Sequence, residues 1–239
     1  MGVFSGPADW WTDGTNEGRT HIATKGVIQD GIVLNLDAGA STSYPGSGTT
    51  WTDLSGNGNN GTLVGGVGYS ADNGGSLVFD NVNDYISVSS ISVSTFTYDG
   101  WVYHTPVNAA SDFGYFFSGG NFGLAVSEGS GPPSIGQFYY YNSSTAVTLG
   151  YTLTPNVWTH VSAVIDGTGK TLKLFINGNE QSTTNVTNTQ ISITDFGRYQ
   201  PGNTHFWNGR VSVARIYNKA LTAAEVEQNY DVTKGRFGI

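Results

Sequence analysis

After Gly31 the chain alternates between apolar and polar residues along much of its length. The clearest case is WTHVSAVID (158–166), where Val161, Ala163 and Ile165 fall on one face. DGTGK then turns the chain, and in TLKLFING (171–178) Leu172, Leu174 and Ile176 form the matching apolar face. Period two on both sides of a glycine turn predicts two antiparallel strands, each half buried. Asn177 and Gly178 next predict a type I′ turn, whose two central residues both need positive φ. Further strand signals are GIVLNLDAG (31–39), SLVFD (76–80), DYISVS (84–89), TFTYDGWVYHT (95–105) and FGYFFSGGNFGLAVSEG (113–129). SIGQFYYYNSS (134–144), ISITDFGRY (191–199) and GRVSVARIYN (209–218) follow.

One stretch changes period. LTAAEVEQNY (221–230) reads as a short helix with Thr222 as N-cap, Glu225 completing a capping box, and Leu221 and Val226 as a hydrophobic staple. At about two turns it needs docking on the sheets to be stable. The last residues, GRFGI, read as a second short tail. Roughly a dozen strands without alternating helices predict one antiparallel two-sheet sandwich over residues 27–239. Residues 1–26 show neither period. They form an arm in which Trp10 and Trp11 read either as part of a disordered leader or as anchors on a neighbouring subunit.

Composition narrows the function. Charged residues are 12 % of the chain and the formal net charge is −8. The ten Lys and Arg form no run, so nucleic-acid and anionic-membrane partners are not expected. There is no Cys, hence no disulfide and no thiol ligand. The N-terminus as written lacks the pattern of a signal peptide, and no apolar run is long enough to span a membrane. The sequons at Asn60, Asn142 and Asn185 read as chance in an Asn/Thr-rich chain.

Several segments, in order, resemble the laminin-G-like jelly rolls of the concanavalin A-like lectin/glucanase superfamily. They are WTDLSGNGNNGTL with SLVFDNVNDYISV, NVWTHVSAVIDGTGKTLKLFINGN, and FWNGRVSVARIYNKALTAAEVEQNY. The resemblance implies an all-β, antiparallel two-sheet jelly-roll sandwich with a short C-terminal helix. DGIVLNLDAG, SYPGSGTTWTDLSGNGNNGTL and the ending LTAAEVEQNYDVTKGRFGI are more narrowly similar to laminin-G-like proteins of tailed bacteriophages. That similarity implies a non-enzymatic virion structural protein, a head decoration or a tail or fibre component. Its partners would be other capsid or tail proteins, a second copy of the chain in a homo-oligomer, and host-surface glycans. A carbohydrate-binding module without a virion role is the alternative.

Candidate chemistry is sparse. Glycosidases need two carboxylates set roughly 5–10 Å apart across the scissile bond. The five Glu (Glu17, Glu128, Glu180, Glu225 and Glu227) open no E-x-D pattern, and Asp99 has no acid two residues away. The four His show no zinc or triad spacing. In the loop at 51–63, Asp53, Ser55, Asn57, Gly58 and Asn59 match positions 1, 3, 5, 6 and 7 of an EF-hand-like turn, with Ser at the third. Position 12 is Val64 rather than Glu. The loop reads either as a calcium site on Asp53, Ser55, Asn57 and Asn59, helped by Asp80 or Asp84, or as an Asn/Gly turn. For glycans, QFYYYNSS offers Tyr139, Tyr141 and Asn142. Tyr139 and Tyr141 share one strand face and Phe138 and Tyr140 the other, so one pair is core and one exposed. The exposed pair reads either as a sugar platform or as ordinary sheet packing, and the same holds for RYQPGNTHFW (198–207).

Overall fold

The computed structural model describes residues 25–107, 113–120, 122–128, 134–142, 145–187 and 189–239. Trp10 and Trp11, and all of the arm except Lys25 and Gly26, lie outside them. Along the chain come β1 (Ile32–Asp37), β2 (Thr50–Trp51), β3 (Gly61–Val64), β4 (Gly68–Ser70), β5 (Ser76–Asp80) and β6 (Tyr85–Val93). Next are β7 (Phe96–His104), β8 (Phe113–Gly119), β9 (Phe122–Ser127), β10 (Gln137–Asn142) and β11 (Thr145–Thr152). Finally β12 (Trp158–Asp166), β13 (Thr171–Ile176), β14 (Asn179–Asn185), β15 (Ile191–Phe196) and β16 (Asn208–Tyr217) precede one helix, α1 (Ala223–Thr233).

The strands form two eight-stranded antiparallel sheets. Sheet A runs β14-β13-β12-β7-β16-β5-β4, with β1 also paired to β16. Sheet B runs β11-β10-β9-β8-β15-β6-β3-β2. This is the antiparallel jelly-roll sandwich that alternation and resemblance predict. The hairpin pairs Val161 with Ile176, Ala163 with Leu174 and Ile165 with Leu172, and all six side chains enter the inter-sheet core. Asn177 (φ 50°) and Gly178 (φ 79°) make the positive-φ turn into β14. From the other side, Phe116, Phe117, Leu124, Phe138 and Tyr140 close the core.

One expectation fails in a useful way. β12 is not half buried; eight of its nine residues are buried, because sheet A is covered on its outer face too. The cover is α1 with the 3₁₀ turn Lys234–Phe237. The capping box predicted for α1 is present: the Glu225 N–H donates to Thr222 Oγ1 at 3.3 Å, and the Thr222 N–H donates to Glu225 Oε2 at 2.8 Å. Leu221 and Val226 pack together with Val164, Phe175 and Tyr217. GRFGI is no loose tail. Phe237 stacks on Trp101 at 4.0 Å between ring centres, and Arg236 donates to the Asn73 and Gly75 carbonyls and pairs with Asp37. Ile28 is held to the same helix: its N–H donates to Asn229 Oδ1 at 2.8 Å, and its carbonyl accepts from the Tyr217 hydroxyl.

Beneath this cover lies a sealed polar network. Asp99, His160 and Ser162 are 0 % exposed and Arg215 is 2 % exposed. Asp99 accepts from Ser162 Oγ at 2.6 Å and from Arg215 Nη1 at 3.1 Å. His160 Nε2 lies 3.0 Å from Asp99 Oδ1. Burial alone would raise the Asp99 pKa. Instead His160, the Arg215 guanidinium and the Ser162 hydroxyl hold it below the usual carboxylate range.

Candidate functional site

The Asp53 loop is built as a latch. Both Asp53 oxygens are taken: Oδ1 accepts from the N–H of Asn35 and of Ser55, and Oδ2 accepts from the Asn59 N–H and the Ser55 hydroxyl, at 2.8–3.0 Å. Asn57 and Asn59 donate their side-chain amides to the Ile32 and Val33 carbonyls of β1. These donors tie the loop to β1, and Asp53 itself is buried. Among the described residues no group of three or more His, Cys, Asp or Glu could hold a metal ion. One carboxylate with its oxygens already satisfied does not fit calcium, which takes six to eight oxygens. Asp53→Ala is expected to cost about 2 kcal/mol by leaving three half-buried N–H groups without their acceptor, and millimolar calcium is expected to leave the wild-type melting temperature unmoved; thermal melts with calcium and with EDTA check both.

Asp84 behaves differently. It is 3 % exposed, its Oδ2 accepts only the Asp80 N–H at 3.2 Å, and its Oδ1 has no partner. Burial, then repulsion from Asp80, pushes its pKa up to about 6. The folded state therefore holds this proton more tightly than the unfolded chain. The resulting stability is complete below pH 4 and lost as pH rises through 6. Asp84→Asn is expected to raise the melting temperature by roughly 2–6 °C at pH 8 and to leave it unchanged at pH 4.

On the outer face of sheet B the chain makes an aromatic cleft of about 260 Å³, lined by Phe113, Tyr115, Ala125, Tyr139, Tyr141, Ala146, Tyr199 and His205. Register explains it. Ala125 pairs with Tyr115 on one side and Tyr139 on the other. Tyr141 lies between Gly123 and Ala146. Large rings thus alternate with small residues across the strands, leaving a floor between walls. Gly123 is required here, since a Cβ at that position would sit 2.6 Å from the Tyr115 ring.

The loop between β15 and β16 supplies the facing wall. Its Arg198 donates through Nε and Nη2 to Asp195 Oδ1 at 3.0 and 2.8 Å and lies 3.5 Å over the Tyr85 ring. Ser118 Oγ donates to the Arg198 carbonyl and accepts from the Gln200 N–H. Fixed in this way, Tyr199 meets Tyr115 at 5.1 Å and Tyr141 edge-on at 5.7 Å. His205 packs against Phe113 at 5.9 Å. Burial, with help from Tyr199 and Tyr141, pushes the Tyr115 phenol well above its ordinary value, and burial also raises Tyr199. These two phenols thus keep their protons at physiological pH, able both to donate and to accept.

The two aromatic stretches marked in the sequence therefore meet in one site. Phe138 and Tyr140 are core, while Tyr139 and Tyr141 face outward, half buried. Asn142 departs from the expected set. One residue beyond Tyr141, it faces the opposite side, is 5 % exposed, and donates to Thr187 Oγ1. Phe113, Tyr115, Ala125 and Ala146 were not singled out; the only local hint is the i, i+2 spacing of Phe113 and Tyr115, and their pairing is set by distant strands.

With the geometry described, comparisons with known proteins are informative. The family model of the concanavalin A-like lectin/glucanases superfamily matches residues 79–227. The chain belongs to that superfamily. Among solved structures, this superfamily member is similar to domain 4 of AbnA, a GH43 extracellular arabinanase from Geobacillus stearothermophilus, in complex with arabinotriose. Identity is 18 % over 83 % of this chain and 98 % of that one, with TM-score 0.63. It is similar to the binding domain of Paraclostridial Mosquitocidal Protein 1, 18 % identical over 84 % of this chain and 52 % of that one, TM-score 0.63. A third is the binding domain of botulinum neurotoxin DC in complex with SialylT, 12 % identical over 86 % of this chain and 52 % of that one, TM-score 0.62. The chain thus spans about half of each toxin domain. At these identities the likeness is one of fold. No curated protein matches the sequence. Among the described residues no helix is long and apolar enough to cross a membrane.

Proposed function

We propose that this chain is a non-catalytic glycan-binding sandwich, displayed as a structural part of a tailed-phage virion. The observation that carries the binding half is the aromatic cleft on sheet B. Flat tyrosine faces suit the C–H faces of sugar rings, and neutral phenols beside them suit sugar hydroxyls. Similarity of fold to an arabinotriose-bound arabinanase domain and a SialylT-bound toxin domain supports the same reading. No carboxylate is among the residues that line the cleft, whereas glycoside hydrolysis needs two. Among the described acids, Asp99 and Glu128 are sealed, Glu128 against His104 at 2.8 Å. The virion half is supported by the resemblance of 30–39, 43–63 and 221–239 to tailed-phage proteins. In that setting the arm, with Trp10 and Trp11, would dock on capsid or tail partners, and a homo-oligomer is expected.

Tyr141→Ala and Tyr199→Ala should each weaken glycan binding by about tenfold or more, with little change in melting temperature, because both rings stand at the cleft surface. Retained affinity in both variants would remove the cleft from the account. Counting copies of the chain in purified particles by mass spectrometry tests the virion half. Hundreds per particle indicate a head decoration and a handful a tail or fibre; absence leaves a free carbohydrate-binding module.

A further inference from the structure

We infer that the cleft selects uncharged glycans and discriminates against sugars bearing carboxylate, sulfate or phosphate. This rests on the glycan-binding reading above and narrows it. The starting point is an asymmetry in the chain. From Gly26 through Gly169 there is no Lys and no Arg. That span holds every strand of sheet B except β15, whose sequence ISITDF also has neither. Past residue 169 the long-chain cations other than Arg198 lie elsewhere: Lys170 and Lys173 at the β12–β13 hairpin, Arg210 and Arg215 on β16, and Lys219, Lys234 and Arg236 beyond it.

Among the described residues one Lys or Arg comes near the cleft, and it is committed. Arg198 gives two donors to Asp195 and a third to Asn203, with its plane over Tyr85, and its side chain is 15 % exposed. Drawing it to an anionic sugar would leave the buried Asp195 carboxylate with the Thr194 hydroxyl and no counter-charge. The segments 108–112, 129–133 and 143–144 add, by sequence, no Lys or Arg and one Asp, Asp112. The lining itself offers four tyrosine hydroxyls and one imidazole. An acidic sugar would thus meet uncharged hydroxyl donors with no Lys or Arg to balance its charge, on a molecule of formal charge −8. A neutral sugar meets no such penalty.

The test is a glycan array of the intact chain carrying matched neutral and acidic members, such as lacto-N-neotetraose and its sialylated form, together with uncharged plant and bacterial glucans. It is run for the wild type, Tyr141→Ala and Ala146→Arg. Expected are hits confined to uncharged glycans, lost in Tyr141→Ala, and at least tenfold weaker for any acidic partner of a neutral hit. Ala146 is exposed at the cleft, and Arg there should narrow that gap. Raising salt should leave the neutral affinity unchanged. An acidic glycan bound as tightly as its neutral partner, and lost in Tyr141→Ala, would overturn the selectivity while upholding glycan binding. No cleft-dependent hit of either class would overturn both.

Discussion

Replacing Asp99 with alanine is expected to lower the melting temperature by roughly 6–20 °C at neutral pH. The carboxylate satisfies Ser162 and Arg215 at the centre of a network sealed under α1, and its removal leaves the Arg215 charge buried with only the neutral Asn35 Oδ1 accepting from it. Breaking a buried ionic group by deleting one member costs about 3–5 kcal/mol. In a domain of this size each kcal/mol moves the melting temperature by about 2–4 °C. Asp99→Asn should recover part of the loss by keeping the hydrogen bonds without the charge. The Asp99 pKa is depressed in the folded protein, so its contribution is fully present above the unfolded value near 4 and fades only as pH falls through the folded one. The deficit of the alanine variant should therefore be flat from pH 5 to pH 8. A loss below 1 kcal/mol in chemical denaturation would mean that the network is not stabilising.

The second large effect is expected at Phe237. Phe237→Ala should cost about 2–4 kcal/mol, toward the lower end for a buried phenylalanine because the residue is 6 % exposed. Its ring lies nearly parallel to Trp101 (19°) and 4.9 Å from Trp158, and it closes the cover over both indoles. Tryptophan emission should shift to the red in the folded variant, since Trp101, 0 % exposed in the wild type, would meet water. A red shift without loss of stability would show that the tail shields the indole but does not hold the fold.

How far the sequence could be read follows from how local each feature is. The capping box at Thr222 and Glu225 and the positive-φ turn at Asn177 and Gly178 are written within four residues, and both were legible. So was the parity that sends Tyr139 and Tyr141 to one face and Phe138 and Tyr140 to the other. What one strand stands beside is not local. Nothing near Tyr115 indicates that Ala125 and then Tyr139 will be its cross-strand neighbours, or that Tyr199 will close over it. Asp99 likewise shows no partner in its own strand, because Ser162 and Arg215 arrive from β12 and β16. Alternation also sends adjacent residues to opposite faces, and Asn142 accordingly lies on the face opposite Tyr141. GRFGI looked loose because one aromatic among glycines carries no period, yet that ring finds an indole.

The attachment of Ile28 to Asn229 and Tyr217 gives the molecule a direction. It delivers the chain from residue 25 onward to the helix-covered side of sheet A, while the cleft opens on the far side of sheet B. Residues 25–28 and the cleft therefore stand at opposite poles of the sandwich, the one at its helix-covered back and the other at its open front.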